Sequence, residues 1–327
     1  MQTSVARFFA LFAMAAARVA LVACCVPLSA QADTPAGGTA IGVPTQDGSG
    51  HALMLNAVLW LPEGRPRAAV VFANGSGGWH DYREGQYGRA LAAAGYAALA
   101  VDSFGARGIV STVEDQSQLS ILEMVRDALA GKRLLVARGM AADRMAIMGW
   151  SRGGSVALAA ADANFLAQEQ ERFLAAIAFY PECSFRPRVP KPRSVVFMAL
   201  GDRDDYTGIK PCQDIAGDYG KAGGTISVKV YSGSTHGFDG NPAYTRASRD
   251  FIAETFIDCV AYVEEDGSAT LFGKRFDLES GFRDLVIYAR QQPCAARGTT
   301  MWTNIRQKEA AIRDVVEFLN ATFSVSN

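Results

Sequence analysis

Apolar and polar positions alternate along Leu53-Met54-Leu55-Asn56-Ala57-Val58-Leu59-Trp60, the pattern of a half-exposed strand, which ends at Pro62-Glu63-Gly64. Close behind, with the place of its partner, Ala68–Phe72 is apolar throughout, as a strand buried on both faces of a parallel sheet must be. The same reading gives strands at Tyr96–Asp102, Met145–Met148, Leu174–Tyr180, Ser194–Leu200 and Thr225–Tyr231. Helical segments fall between them. Tyr82–Ala94 closes on Gly95. From Asp115 or Ser117 onward, Leu119, Leu122, Val125 and Leu129 keep a helical period. Ser155–Ala161 is a small-residue helix, and another begins near Pro211. Regular alternation of strand and helix predicts an α/β fold: a mostly parallel central sheet with helices on both faces.

Two stretches break that alternation. Thr34–Gly50 is rich in Gly, Pro and Thr and reads as a linker (residues 33–50) before a single domain over 51–327. Past Asn241-Pro242 the chain makes an excursion, residues 241–300, through Cys259–Val263 and Ala269–Phe272. Glu265-Asp266-Gly267 between them is a hairpin turn signal. The excursion is either a lid over the active site or a decorated edge. Asn304 then caps a last helix, with Ile305, Ile312, Val316, Leu319 and Phe323 as its expected apolar stripe.

Composition changes this picture little. With 327 residues, 49% hydrophobic content and net charge -1, the chain can bury a sizeable core and has no electrostatic bias toward nucleic acid or anionic membrane. The N-terminus reads as an export signal over residues 1–32, with basic flanks at Arg7 and Arg18, apolar runs and an Ala30-Gln31-Ala32 cleavage site. Arg18 interrupts the apolar stretch, so no stable membrane span is expected. Cleavage is expected after Ala32, for a periplasmic or secreted chain. The alternative is a lipoprotein at Cys24, because Leu21-Val22-Ala23-Cys24 resembles a lipobox. Export would place Cys183, Cys212, Cys259 and Cys294 in an oxidising compartment. Cys259 is expected to pair with Cys294, closing the excursion, and Cys183 with Cys212, tying two loops on one side of the sheet. No Cys-x-x-Cys or His/Cys cluster suggests a metal, and the motifs call for no cofactor.

Candidate chemistry gathers at the C-terminal ends of the strands. Gly149-Trp150-Ser151-Arg152-Gly153-Gly154 joins a strand to a helix. Glycines two residues either side of Ser151 relieve the crowding of so sharp a turn, the context of a nucleophile elbow. A serine hydroxyl needs a base to take its proton and N–H donors for the developing oxyanion. The Arg152 N–H is one such donor. Asn74-Gly75-Ser76-Gly77-Gly78, after a buried strand, is expected to supply the second through Ser76. Gly201-Asp202-Arg203-Asp204-Asp205 places three carboxylates after another strand: one to orient a base, the others solvated or capping the following helix. Of the three histidines, only His236 follows this acid cluster. Arg107 reads as a structural pairing residue, with binding of a substrate carboxylate as the alternative, and Trp79, Phe104, Trp150 and Phe238 as candidate pocket walls.

Ser151, the Asp202–Asp205 cluster and His236 fall in the chain order of the α/β-hydrolases. With Asn74–Gly78, Asp102-Ser103-Phe104, Gly149–Gly154, Gly201–Thr207 and His236-Gly237-Phe238, the chain resembles the dienelactone hydrolase-like branch of that superfamily over roughly Leu53 to Phe323. The resemblance implies an α/β-hydrolase fold, a Ser151–His236–Asp204 triad and hydrolysis of small-molecule esters or lactones. Asp204 is the acid by the family's Gly-x-x-Asp pattern, with Asp205 and Asp202 as alternatives. Two positions depart from the family: Ser151 stands where dienelactone hydrolases proper carry cysteine, and Asn74 where many relatives carry histidine. A peptidase or acyltransferase on the same scaffold, and a non-catalytic binding protein, are the competing readings.

Overall fold

The computed structural model of the chain describes residues 34–165 and 171–324. The expected cleavage site at Ala32 and the alternative lipid site at Cys24 lie outside the described residues. In chain order the main elements are β1 (Thr39–Gln46), β2 (Ala52–Trp60), β3 (Ala69–Ala73), α1 (Gln86–Ala93), β4 (Ala97–Asp102), α2 (Ile121–Ala137), β5 (Met145–Trp150), α3 (Arg152–Ala160), β6 (Ala175–Phe179), β7 (Phe185–Pro187), β8 (Val195–Gly201), α4 (Lys210–Lys221) and β9 (Ile226–Tyr231). Eight of these strands form one sheet in the order β1-β2-β4-β3-β5-β6-β8-β9. It is parallel from β4 to β9 and antiparallel at β1–β2 and β2–β4.

Every residue of β3, β4, β5 and β6 is buried, which is why these strands read as continuous apolar runs. One face of the sheet packs on α2, α3 and α4 through residues such as Val125, Leu129, Val156 and Tyr219. The other packs on α1 and on the final helix α6 (Ile305–Thr322) through Tyr87, Leu91, Val315 and Leu319. Helix α2 starts later than its apolar period suggests. Ser120 and Glu123 form a reciprocal capping box, so the helix proper begins at Ile121 and Gln116–Gln118 is a separate 3-10 turn.

Three expectations are corrected. The presumed linker carries β1, an edge strand with Val43 its only fully buried residue, so Gly42 and Pro44 are tolerated where a central strand would exclude them. β2 does not pair with β3; its neighbours are β1 and β4. On α6 the buried stripe is Ala311, Val315, Leu319 and Phe323, while Ile305 is exposed and Ile312 and Val316 are half-buried at its margin. Asn304 does cap that helix, accepting from the Gln307 N–H.

The excursion comprises β10 (Ser248–Thr255), β11 (Ala261–Val263), β12 (Ser268–Leu271), β13 (Lys274–Asp277), α5 (Phe282–Arg290) and β14 (Ala296–Met301). Its β11–β12 hairpin turns where Glu265-Asp266-Gly267 signals it. β11 also pairs in parallel with β7, so the loop between β6 and β8 joins the small sheet β13-β12-β11-β7. Arg188 grips Glu264 with two nitrogens at 2.9 and 2.7 Å, fastening that junction. Both expected disulfides are present: Cys183–Cys212 joins the ends of β6 and α4, and Cys259–Cys294 closes the excursion. Paired cysteines of this kind hint at an extracytoplasmic protein. No described helix is long and apolar enough to cross a membrane.

The Cys183–Cys212 bridge spans 29 residues, for which loop-closure entropy gives about 3–4 kcal/mol. The Cys183→Ala/Cys212→Ala variant is expected to lose about 2–4 kcal/mol of unfolding free energy, read from urea denaturation of both chains under oxidising conditions.

Candidate active site

Strand β5 delivers Ser151 to the rim of the sheet in a conformation that side chains rarely adopt, with φ 54° and ψ -117°. The cause lies in the packing below it. A Cβ on Gly149 would stand 2.1 Å from the Gly153 carbonyl oxygen, and one on Gly153 would stand 2.1 Å from that of Ala73. Only glycine lets α3 begin so close to β5 and β3, and that closeness forces the turn. The Ser151 N–H is anchored on the Phe179 carbonyl at 2.9 Å. Its hydroxyl is left at the surface of a cavity.

His236 follows β9, and its Nε2 lies 2.9 Å from Ser151 Oγ while its Nδ1 lies 2.9 Å from Asp204 Oδ2. Asp204 sits on the turn after β8 and also accepts from the N–H groups of Tyr206 and Thr207 and from Thr207 Oγ1, each at 2.9 Å. Burial pushes the Asp204 carboxyl up, but the adjacent His236 and these donors outweigh it and hold the group below the usual carboxylate value. An ionised Asp204 can only accept, so Nδ1 carries the imidazole proton and Nε2 faces the serine with its lone pair. Tyr180 and Tyr206 meet the imidazole edge-on, at ring separations of 4.7 and 4.6 Å, and fix its plane.

The other two acids of the cluster hold loops in place. Asp205 accepts from the Thr300 N–H and hydroxyl at 2.8 Å and pairs with Arg249 at 2.9 Å, bolting the excursion to the Asp204 turn. Asp202 accepts from the Ser234 N–H at 3.1 Å in the histidine loop. Neither caps α4, whose N-cap Ile209 has no side-chain bond. Arg107 pairs with Asp127 through two nitrogens, the structural role expected of it.

A cavity of about 110 Å³ opens beside Ser151, with Ser76, Gln116, Arg152, Glu182 and Thr207 among its polar lining residues. Ser76 stands at the second position of a Gly75–Gly78 turn. Arg152 opens α3, whose first-turn N–H groups have no partner within the helix. The Arg152 guanidinium donates to the carbonyls of Gln116 and Leu119 and to the Gln116 side-chain oxygen. Of the expected pocket walls, Trp79, Phe104, Trp150 and Phe238 are all buried in the two cores and none lines the cavity. Aromatic side chains at the ends of buried strands are captured by the core before they reach the rim. Among the described residues no group of three or more His, Cys, Asp or Glu is placed to hold a metal ion.

Sequence reasoning missed Gln116 and Glu182. Gln116 bonds Ser76 Oγ and Tyr206 OH through Nε2, at 3.2 and 3.3 Å, and accepts from Arg152 at 2.6 Å, so it ties three loops together. It lies on a 3-10 turn with no motif around it. Glu182 carried a signal: it stands just past the C-terminal end of β6, the position that singled out Ser151, Asp204 and His236. One carboxyl oxygen accepts from the Ser184 N–H and hydroxyl at 3.0 and 2.6 Å, and the side chain borders the cavity. Burial pushes its pKa up to about 7, the nearby Asp204 charge adding to the rise and the Ser184 bonds opposing it.

A carboxyl whose pKa is raised on folding stabilises the fold least at high pH: the contribution is intact below about 4.5, the value of an unperturbed Glu, and is lost as pH rises through about 7. Glu182→Gln is therefore expected to raise the melting temperature relative to the parent at pH 8.5, by up to about 3 kcal/mol of stability, and to leave it near parental at pH 4.5. Melting curves of both proteins at the two pH values check the sign.

Residues 55–260 match the dienelactone hydrolase family. No curated protein matches the chain. Among solved structures, the chain is similar to a thermophilic esterase from the planctomycete Thermogutta terrifontis at 18% identity and TM-score 0.52, over 64% of this chain and 88% of that one. The same esterase phosphoramylated by tabun gives 18% identity and TM-score 0.50, over 63% and 87%. A putative dienelactone hydrolase from Klebsiella pneumoniae gives 18% and 0.47, over 61% and 88%. At this identity the first two show a shared α/β-hydrolase fold. The family match takes in more than half of the chain, including the strands that carry Ser151, Asp204 and His236, and the chain belongs to the dienelactone hydrolase family.

Proposed function

We propose that the chain is a serine hydrolase that cleaves small carboxylic esters or lactones through a Ser151–His236–Asp204 triad and an acyl-enzyme. The observation that carries this reading is the continuous line of two 2.9 Å hydrogen bonds from serine through imidazole to carboxylate, at the mouth of a cavity. Ser151 Oγ attacks the acyl carbon while His236 Nε2 takes its proton, and Asp204 steadies the imidazolium that forms. The N–H groups of Arg152 and Ser76 hold the oxyanion as the carbonyl becomes tetrahedral. Collapse expels the alcohol, which receives the proton from His236. A water molecule, deprotonated by the same imidazole, then attacks the acyl-enzyme, and the acid leaves as the serine recovers its proton. In a lactone the expelled alcohol stays attached to the acyl group, and hydrolysis opens the ring. The family, and the fold shared with an esterase, support an ester over a peptide.

The two disulfides support export of the mature chain to an oxidising compartment. Cleavage after Ala32 leaves Asp33 as the first residue, whereas lipid attachment would leave a modified Cys24. Mass spectrometry of the mature N-terminus is expected to find Asp33.

Ser151→Ala is expected to lower kcat for a p-nitrophenyl ester on the order of 10⁶-fold, and Asp204→Asn about 10⁴-fold. A fluorophosphonate is expected to label the parent at Ser151. Failure to label, with no turnover of esters or lactones, would favour a binding protein. Turnover within tenfold of the parent in Ser151→Ala would place the nucleophile elsewhere.

A further inference from the structure

The excursion lies for the most part beyond the part of the chain that matches the family, yet it builds much of the cavity beside Ser151. Helix α5 turns Phe282, Leu285, Val286 and Ala289 toward that cavity, a spacing of three, four and seven residues that is one face of a helix. Phe256, Ala261 and Leu271 extend the apolar wall, with Ile121 and Phe185 joining it from outside the excursion. The charged groups that border the wall are already engaged: Glu254 of the excursion pairs with Arg290, and the Arg152 guanidinium lies 5.9 Å from the Phe282 ring. The wall is held from three sides. Cys259 borders the cavity and is bonded to Cys294, just past α5. Arg290, on α5, pairs with both Glu254 and Asp115. Tyr206, on the Asp204 turn, donates to the Glu254 carbonyl at 2.7 Å and accepts from Thr255 Oγ1 at 2.6 Å. A wall fixed to the turn that carries Asp204 keeps one distance from the reacting serine.

We propose that the excursion is the specificity wall of the site, forming a dry subsite for an unbranched apolar chain of the ester, so that the substrates are uncharged esters with a chain of about four to six carbons. This rests on the hydrolase reading above. The length follows from the size of the cavity: about 110 Å³ is somewhat less than the roughly 150 Å³ of an apolar cavity that takes benzene, a six-carbon ring. Each methylene moved from water to such a wall is worth about fourfold in kcat/KM.

The test uses the full mature chain with its disulfides intact and two ester series, one lengthening the acyl chain from acetate to decanoate and one lengthening the alcohol of an acetate ester. In one of the two, kcat/KM of the parent is expected to climb about 100-fold from the shortest ester to a chain of about six carbons and then to level off or fall. The series that climbs identifies which side of the ester occupies the subsite. Val286→Trp and Ala289→Phe fill the cavity and are expected to cut the six-carbon to shortest ratio at least tenfold. Phe282→Ala, at a half-buried position, enlarges it and should move the optimum to longer chains. Thermal melting checks the fold of each variant, and Phe282→Ala alone decides if the filled variants do not fold. The same chain-length ranking in the parent and every folded variant would overturn the proposal. A parent that hydrolyses no ester in either series and is not labelled at Ser151 would instead overturn the hydrolase reading on which it rests.

Discussion

The close approach of α3 to β3 and β5 is the constraint from which the geometry of the site follows. Ala73, Gly149 and Gly153 meet backbone to backbone with no room for a single carbon between them. That contact bends the chain at Ser151 into a positive φ, a cost of order 1–3 kcal/mol for a residue with a side chain. The strain persists because β5 is hydrogen-bonded in register to both β3 and β6, and the Ser151 N–H is itself tied to Phe179. The turn cannot relax without breaking the middle of the sheet. A hydroxyl so held keeps its position relative to every group placed on a neighbouring strand.

The partners of Ser151 need an equally firm hold, since His236 and Asp204 lie on loops. Part of it comes from a buried carboxylate beneath the site. Asp239, three residues after His236, accepts from Trp150 Nε1 and Tyr87 OH at 2.9 Å and from Tyr180 OH. Trp150 is the residue before Ser151, and the Tyr180 ring rests against the His236 imidazole. One carboxylate thus joins the histidine loop to the elbow strand and to the aromatic ring that sets the imidazole plane. A loop with such an anchor moves with the sheet, which keeps a 2.9 Å contact between Ser151 and His236 compatible with residues 85 positions apart.

How much of this the sequence carried depended on the kind of constraint. Steric and topological demands were legible: glycines around Ser151, apolar runs for β3 to β6, and the order of serine, acid and histidine all follow from local rules. The pairing of Cys259 with Cys294 was legible for the same reason, because an excursion must close. Contacts settled by tertiary packing were not. Trp150 and Phe238 look like pocket walls in sequence, but their large apolar area is better spent in the core, where both are fully buried. Gln116 gained its role only because three loops converge on it. β1 was hidden because an exposed edge strand needs no apolar run. Among Asp202, Asp204 and Asp205, the Gly-x-x-Asp spacing points to Asp204, the one of the three whose carboxyl meets His236, whereas the loop contacts of the other two are tertiary and have no such signature.

The charges around the cavity explain why an apolar wall suits this site. Three carboxyl groups border it or stand close by, and each is neutralised in a different way. Asp204 is matched by His236 and a ring of N–H donors. Glu254 is matched by Arg290. Glu182 makes no ion pair among the described residues, and burial pushes its pKa up to about 7, with Asp204 adding to the rise and the Ser184 bonds and His236 opposing it. Arg152, a cation on the cavity lining, donates its guanidinium hydrogens to backbone and amide oxygens. Little net charge is then presented to an incoming molecule, and a charged substrate would give up its hydration without finding a free counter-ion. An uncharged ester gives up little, and its apolar chain gains from leaving water. On the proposed reading, the lining charges and the apolar wall would therefore select for the same kind of molecule below neutral pH.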